Sequence, residues 1–159
     1  MNSIDQQLFD AARTGDITRL QDLIAQQADV NVQDAKGYTP LIIASYNNQP
    51  EAVKVLLEAG AEINLPDAGG NTALMGVSFK GYPEIAELLI AHGADLNQQH
   101  GNGGTALMFA VMFGRNNLAE LLINHGADKE IRDMRGLKAI DLAVQQGNVD
   151  AVDILEQTS

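Results

Sequence analysis

The chain of 159 residues contains no cysteine, which excludes disulfides, thiolate metal sites and cysteine nucleophiles. A cysteine-free chain is usual in the cytosol and is also compatible with the periplasm. The first ten residues, MNSIDQQLFD, are polar and acidic, unlike a signal peptide. We therefore expect a cytoplasmic protein, or a periplasmic or secreted one if a signal peptide has been removed from the chain.

Long hydrophobic runs and basic residues are also scarce. The longest apolar run, Ala106 to Phe113, is far shorter than the roughly 20 residues that a membrane-spanning helix needs. Ten basic residues stand against 21 acidic ones, which gives a net charge of −11. Nucleic acids and anionic membranes attract basic surfaces, so we expect neither as a partner. The charge is compatible with a basic partner protein, or with a role in solubility alone.

Aromatic residues make up only 4 % of the chain, whereas 45 % of it is apolar. The apolar share is that of a globular protein, and the length allows one domain with a sizeable core. The core must therefore be built from Leu, Ile, Val and Ala. The aromatic residues are informative because they are few: Phe9, Tyr38, Tyr46, Phe79, Tyr82, Phe109 and Phe113.

A period of 33 residues runs through the chain. Two sets of glycines keep this period: Gly37, Gly70, Gly103 and Gly136, and then Gly60, Gly93 and Gly126. A third landmark, read as TPLIIA, TALMGV, TALMFA and KAIDLA, begins at positions 39, 72, 105 and 138. Three landmarks with one spacing and no insertion indicate internal repeats rather than chance.

Each repeat reads as a turn, a helix, a second turn and a second helix. A threonine hydroxyl can accept from the free N–H groups of a first helical turn, which makes Thr39, Thr72 and Thr105 predicted N-caps. Pro40 follows at the first helical position, and the second helices begin near Pro50 and Pro83 by the same logic. Glycine is typical of the position just after a helix, so the second glycine set ends these helices.

The period, with GYTPLIIA, LLEAGAEIN and LLIAHGADLN, resembles the ankyrin repeat over nearly the whole chain. The resemblance implies an all-α solenoid of helix-turn-helix units with short β-hairpin or loop fingers. It implies one domain over residues 1–159, with full repeats 34–66, 67–99 and 100–132, an N-terminal cap at 5–33 and a C-terminal cap at 133–159. End repeats need a polar outer face, which polar residues of both caps supply, so we expect a complete domain: Arg19, Gln21, Asp22, Asp150, Asp153 and Glu156.

Two departures from the family pattern affect local structure. The histidine that usually follows TPL is replaced by Ile42, Met75, Met108 and Asp141, so we expect apolar packing in place of its inter-repeat hydrogen bonds. His100 replaces the aspartate that opens the other repeats, and the glycine-rich GNGG follows it. We expect a looser turn there.

Candidate chemistry is sparse. His92 and His125 hold equivalent places in neighbouring repeats, where helices 8–10 Å apart cannot readily bring both imidazoles within about 2 Å of one metal. GNGG lacks the Lys and Ser/Thr of a phosphate-binding loop, and no nucleophile lies in a known motif. We therefore predict no enzyme activity, no cofactor and no metal.

The repeat register predicts a binding surface. It places Tyr46, Phe79 and Met112 in one row on the concave side, with Phe113 beside them. In ankyrin proteins these places are commonly exposed and often contact partners. The predicted partner-binding residues are Tyr38, Tyr46, Asn47, Asn71, Phe79, Lys80, Met112, Phe113, Arg115 and Leu137, and residues at the turn tips (Lys36, Tyr38, Asn71, Asn102 and Arg135) would tune specificity.

Several interpretations stay open at this point. The chain is predicted to be a monomeric, non-enzymatic module that binds another protein as a scaffold or adaptor. One alternative is an inhibitor or immunity-type protein that masks a basic target, which the net charge favours. Another class, an enzyme or metal-dependent protein, is disfavoured. The aromatic row can also serve inter-repeat packing or self-association instead of a partner.

Overall fold

The computed structural model describes residues 2–157, and within that range it contains ten α-helices and no β-strand. The helices are α1 (Ser3–Thr14), α2 (Ile17–Ala25), α3 (Pro40–Tyr46), α4 (Pro50–Glu58), α5 (Ala73–Lys80), α6 (Pro83–Ala91), α7 (Ala106–Met112), α8 (Asn116–Asn124), α9 (Ala139–Gln145) and α10 (Val149–Gln157). None of these helices is long and apolar enough to cross a membrane. The ends of the predicted domain, Met1, Thr158 and Ser159, lie outside the described residues.

The helices stack in five pairs, with each first helix on the next first helix and each second helix on the next second helix. Neighbouring first helices contact each other more extensively than neighbouring second helices do. We call the first helices with their flanking turns the inner layer: residues 2–15, 33–47, 66–81, 99–113 and 132–146. The remaining described residues form the outer layer. The predicted all-α solenoid is confirmed, with turns rather than β-strands as its fingers.

The helix ends follow the predicted chemistry. Thr39, Thr72 and Thr105 each accept from the backbone N–H three residues ahead, at 3.1, 3.3 and 3.3 Å. Pro40, Pro50 and Pro83 stand at the starts of α3, α4 and α6. Gly60, Gly93 and Gly126 follow second helices with φ of 94°, 91° and 94°, a left-handed backbone that glycine adopts without a Cβ clash.

The core is continuous from Leu8 to Leu155 and lies between the two layers. It consists of Leu, Ile, Val and Ala, with Met75 and Met108 fully covered. Phe9 is the only aromatic side chain that is buried within residues 2–157; the other six are at least partly exposed. The aromatic side chains are therefore concentrated at the surface of this protein.

Side chains make hydrogen bonds between repeats that the sequence analysis did not anticipate. Asn31, Asn64 and Asn97 each accept, at 2.7–2.8 Å, a hydrogen bond from a backbone N–H 31 residues ahead. This asparagine column links successive repeats in addition to the buried apolar side chains of Ile42, Met75 and Met108. At the substituted positions, Met75 and Asp141 accept from the N–H of their own N-cap residues.

The turn at His100 keeps the backbone hydrogen bond that closes the other turns, here from the His100 N–H to the Gly104 carbonyl at 2.9 Å. The His100 Nδ1 also accepts from the Gly104 N–H at 2.9 Å, which places the ring proton on Nε2. Asp34, Asp67 and Asp133 each accept two N–H groups at the equivalent place. His100 thus preserves the closure of the turn and loses one side-chain hydrogen bond.

Candidate functional site

Five of the seven aromatic side chains line one groove of 420 Å³, built by α3, α5 and α7 and the turns before them. We call it the aromatic groove. Its lining residues are Tyr38, Ile42, Ile43, Tyr46, Asp67, Asn71, Thr72, Met75, Gly76, Phe79, Phe109 and Phe113. The scarcity of aromatic residues in the chain makes this concentration the most distinctive surface feature of the described residues.

The rings of the groove contact one another in sequence along the stack. Tyr46 and Phe79 are nearly parallel, with centroids 6.2 Å apart and planes 9° apart. Phe79 meets Phe113 edge to face at 4.5 Å and 88°. Tyr46 remains 43 % exposed and Phe113 45 % exposed. The rings of Tyr46, Phe79 and Phe113 therefore form one continuous series.

The polar residues around the groove are held in place by short-range bonds. Lys80 places its Nζ 5.0 Å from the centroid of the Tyr46 ring, a cation–π contact. The Asn71 amide donates to the Asp67 carboxylate at 3.3 Å, and that carboxylate accepts the N–H groups of its own turn. Asn47 donates to a carbonyl of its own helix at 2.8 Å, and the Arg115 Nε donates to the Phe79 carbonyl at 3.0 Å. Arg115 thus braces the helix end that carries Phe79.

A second groove of 530 Å³ lies between α7 and the last repeat. Three predicted residues, Asn102, Met112 and Arg135, line this groove and not the aromatic groove. Phe109 lines both grooves and meets the His100 ring at 5.0 Å and 69°. Phe109 is partly buried and also packs against the core.

Besides Asn47, Lys80 and Arg115, two further predicted residues line neither groove. Leu137 is half-buried and packs against the core, although its counterpart Tyr38 lines the aromatic groove. Lys36 is exposed at the tip of its turn and lines neither groove. Their roles in partner binding remain predictions.

Sequence reasoning missed Gly76, which lies in the aromatic groove at the middle of α5. A signal for it was present in the repeat register. Positions 33 apart in this column read Asp10, Ile43, Gly76, Phe109 and Leu142, so the repeat of Gly76 is the only one of the three full repeats without a large apolar side chain there. The gap contributes directly to the depth of the groove.

Charge is divided unequally between the two layers. The inner layer carries six acidic and six basic side chains, whereas the outer layer carries 15 acidic and four basic ones. The whole net charge of −11 therefore lies in the outer layer.

Asp133, in an inner turn, has an altered pKa. Burial raises the pKa of its carboxyl, but the N–H groups of Leu137 and Arg135 and the Arg135 guanidinium outweigh burial and lower it below its usual value.

The described residues contain no group of three His, Asp or Glu side chains arranged to hold a metal ion. His92 and His125 are exposed, and each Nδ1 lies 2.8–2.9 Å from a carbonyl oxygen of its own helix. Both rings therefore make equivalent contacts at the ends of successive outer helices.

Comparison with known proteins identifies the repeats. The family model described as ankyrin repeats (3 copies) matches residues 8–100 and 77–158. The mitochondrial disaggregases of Bos taurus and Homo sapiens are 37 % and 38 % identical over 59 and 56 residues, which cover 37 % and 35 % of this chain and 9 % and 8 % of theirs. The ankyrin repeat domain-containing protein SAT10 of Stachybotrys chartarum is 40 % identical over 57 residues, which cover 36 % of this chain and 3 % of that protein.

The alignments thus span less than a tenth of the length of these relatives, and they relate the repeats rather than the whole proteins. Ankyrin repeats are generally protein–protein interaction modules, and the family is typically non-enzymatic. The 33-residue period, the paired helices and the match over both halves of the chain lead to one conclusion: this protein belongs to the ankyrin-repeat family.

Proposed function

We propose that the protein is a cytoplasmic, non-enzymatic scaffold or adaptor that binds a partner protein in the aromatic groove. The observation that carries this proposal is the set of rings in the groove, of which Tyr46 and Phe113 are nearly half exposed. Exposed aromatic clusters with a polar rim are typical of protein-binding surfaces, and buried aromatic anchors dominate binding energies. The second groove, with Asn102, Met112 and Arg135, extends the same surface and contributes specificity.

The experiment compares partner capture by the wild type and by the double variant Tyr46→Ala/Phe79→Ala in extracts of the native source. Loss of two anchors should reduce capture by at least about 30-fold, because hot-spot residues contribute about 2 kcal/mol or more. Val149→Ala is the matched control, since Val149 is 68 % exposed on α10 in the outer layer. Its capture should equal that of the wild type.

Thermal unfolding of the same variants separates binding from packing. Each aromatic pair contributes about 0.5–1.5 kcal/mol beyond its buried area, so the double variant should lose a few degrees in Tm. Equal capture by wild type and double variant contradicts the proposal. A loss of Tm well beyond 10 °C would assign the aromatic row to packing between repeats. If the protein captures other copies of the same chain, the row serves self-association.

The second candidate is an inhibitor that masks a basic target protein. It is favoured by the outer layer, where 15 acidic side chains oppose four basic ones. Such an association should weaken steeply with added salt and should be lost in Glu84→Lys/Glu87→Lys, which changes two exposed residues of α6. Groove binding should respond little to salt or to these substitutions, because the inner layer has balanced charge.

A further inference from the structure

Gly76 is the only glycine that lies inside a helix within residues 2–157. Its φ lies outside the left-handed region, so its backbone conformation does not require glycine. Glycine inside a helix destabilises it by about 1 kcal/mol relative to alanine. The absence of a side chain at this position therefore carries a cost that the helix itself does not explain.

The neighbouring repeats show what is missing. Ile43 on α3 and Phe109 on α7 hold the places 33 residues before and after Gly76, and all three line the aromatic groove. An added Cβ at Gly76 would lie 3.3 Å from Cδ1 of Tyr46, closer than side chains usually approach, so the Tyr46 ring packs against Gly76 on one side. Nothing else outside the helix and the chain neighbours of Gly76 lies within 4 Å of that position, so the other side is open. The result is a recess with a glycine floor, flanked by one aliphatic and two aromatic side chains.

We propose that this recess binds one uncharged aromatic side chain of the partner protein, which takes the place of the side chain that Gly76 lacks. This inference rests on the proposed function and specifies the chemistry of the partner. Aromatic rings favour offset or edge-to-face neighbours with centroids 4.5–7 Å apart, and the resident rings already meet in both ways. The half-exposed rings of Tyr46 and Phe113 leave surface for a further ring.

The charges around the recess favour a neutral ring over a cation. Lys80 already lies over the Tyr46 ring at 5.0 Å and would repel a second cation from it. Asp67, the only charged residue that lines the groove, accepts the N–H groups of Gly69 and Asn71 with one carboxylate oxygen. The inner layer as a whole has as many basic as acidic side chains. A neutral anchor therefore matches the balanced charge around the groove, although the negative net charge of the whole chain alone would favour a basic partner.

The test uses indole as the probe and follows the methyl resonances of Ile43 and Met75, which line the groove, by NMR. Indole should shift both resonances saturably in the wild type. Cyclohexanol and tetramethylammonium serve as aliphatic and cationic probes and should bind at least threefold more weakly. No saturable shift with indole, or tighter binding of tetramethylammonium, overturns the inference.

Two variants fill the recess. Gly76→Ile introduces the residue of the preceding repeat and should weaken indole binding at least tenfold. Gly76→Ala adds one methyl group 3.3 Å from the Tyr46 ring and should weaken indole binding severalfold. Its Tm is measured to establish that the variant is folded, because the helix gain from alanine is opposed by displacement of that ring. Ala91→Leu enlarges an exposed side chain of the outer layer and should leave indole binding unchanged. If Gly76→Ala and Gly76→Ile are both folded and both bind indole as the wild type does, the inference is overturned.

Partner capture separates this inference from the proposed function. If Tyr46→Ala/Phe79→Ala loses capture while indole fails to bind the wild type, the groove binds a partner but the recess does not take a ring. If the double variant keeps full capture, the proposed function itself fails. If indole binds and Gly76→Ile still captures the partner as the wild type does, the partner does not use the recess and the inference fails.

Discussion

The inner and outer layers are built from the same repeats and share one core, yet their surfaces differ in almost every respect. Six of the seven aromatic residues belong to the inner layer, and only Tyr82 belongs to the outer layer. The inner layer has balanced charge, and the outer layer carries three acidic side chains in each repeat. Net charge averaged over the whole chain therefore describes the outer layer and misrepresents the groove.

This difference shows how one repeat can meet two requirements, solubility of the protein and binding of a partner. An acidic outer layer repels other copies of itself and favours solubility without touching the groove. A neutral, aromatic inner layer can desolvate against a partner without burying unpaired charge. Both properties coexist because they are carried by different helices of each repeat.

The largest expected effect concerns how the helices of the two layers begin. In the three full repeats, the inner helices α3, α5 and α7 have threonine N-caps, whereas the outer helices α4, α6 and α8 have no side-chain cap. The end repeats do not follow this difference, since outer α2 is capped by Asp16 and inner α9 has no side-chain cap. Thr72→Ala should lower the free energy of unfolding by about 1–2 kcal/mol in urea titrations, because the Met75 N–H loses its acceptor in a buried place. Thr18→Ala, an exposed change in α2, is the control and should stay within about 0.5 kcal/mol. Equal effects of the two substitutions would remove this difference between the layers.

An intermediate effect concerns the inner turns, where Asp133 has a lowered pKa. The Asp133 carboxylate binds its proton at a higher pH in the unfolded chain than in the folded chain, so acid favours unfolding. The stabilisation from Asp133 is complete above the unfolded pKa of about 4 and is lost as pH falls through the folded pKa. Asp133→Asn should cost about 1 kcal/mol at pH 7, since charge-assisted hydrogen bonds become neutral ones.

Unfolding measured from pH 7 to pH 2.5 checks this expectation. The difference between wild type and Asp133→Asn should shrink as the wild type becomes protonated. Asp153→Asn, an exposed change in α10, should show no such convergence. A difference for Asp133→Asn that stays constant down to pH 2.5 would show that the charge of its carboxylate contributes nothing to the turn.

The smallest expected effect concerns repulsion within the outer layer. Glu84→Gln/Glu87→Gln should raise the free energy of unfolding by a few tenths of a kcal/mol at low ionic strength, and 1 M salt should abolish the gain through screening. Lys80→Gln in the inner layer should show no such gain at low salt. A gain that persists in 1 M salt would mean that repulsion is not its cause.

Much of the fold was predictable because its determinants are local. Threonine N-caps, prolines at helix starts and glycines after helix ends act within one turn of a helix. The 33-residue period predicts which residues become neighbours. The row of Tyr46 and Phe79 followed from that period. The asparagine column did not, because its bonds depend on the distance between successive repeats, which no single repeat defines.

The sequence by itself determined the family, the order of the helices, the residues that cap them and the approximate place of the aromatic row. Only the tertiary structure decided that the Phe79 ring meets the Phe113 ring, that Phe109 lines two grooves, and that Gly76 lies against the Tyr46 ring in one of them. The physical reason is the range of the interactions. Caps and periodic burial act along the chain, whereas a groove arises from side chains of three repeats whose orientation is set by their mutual packing.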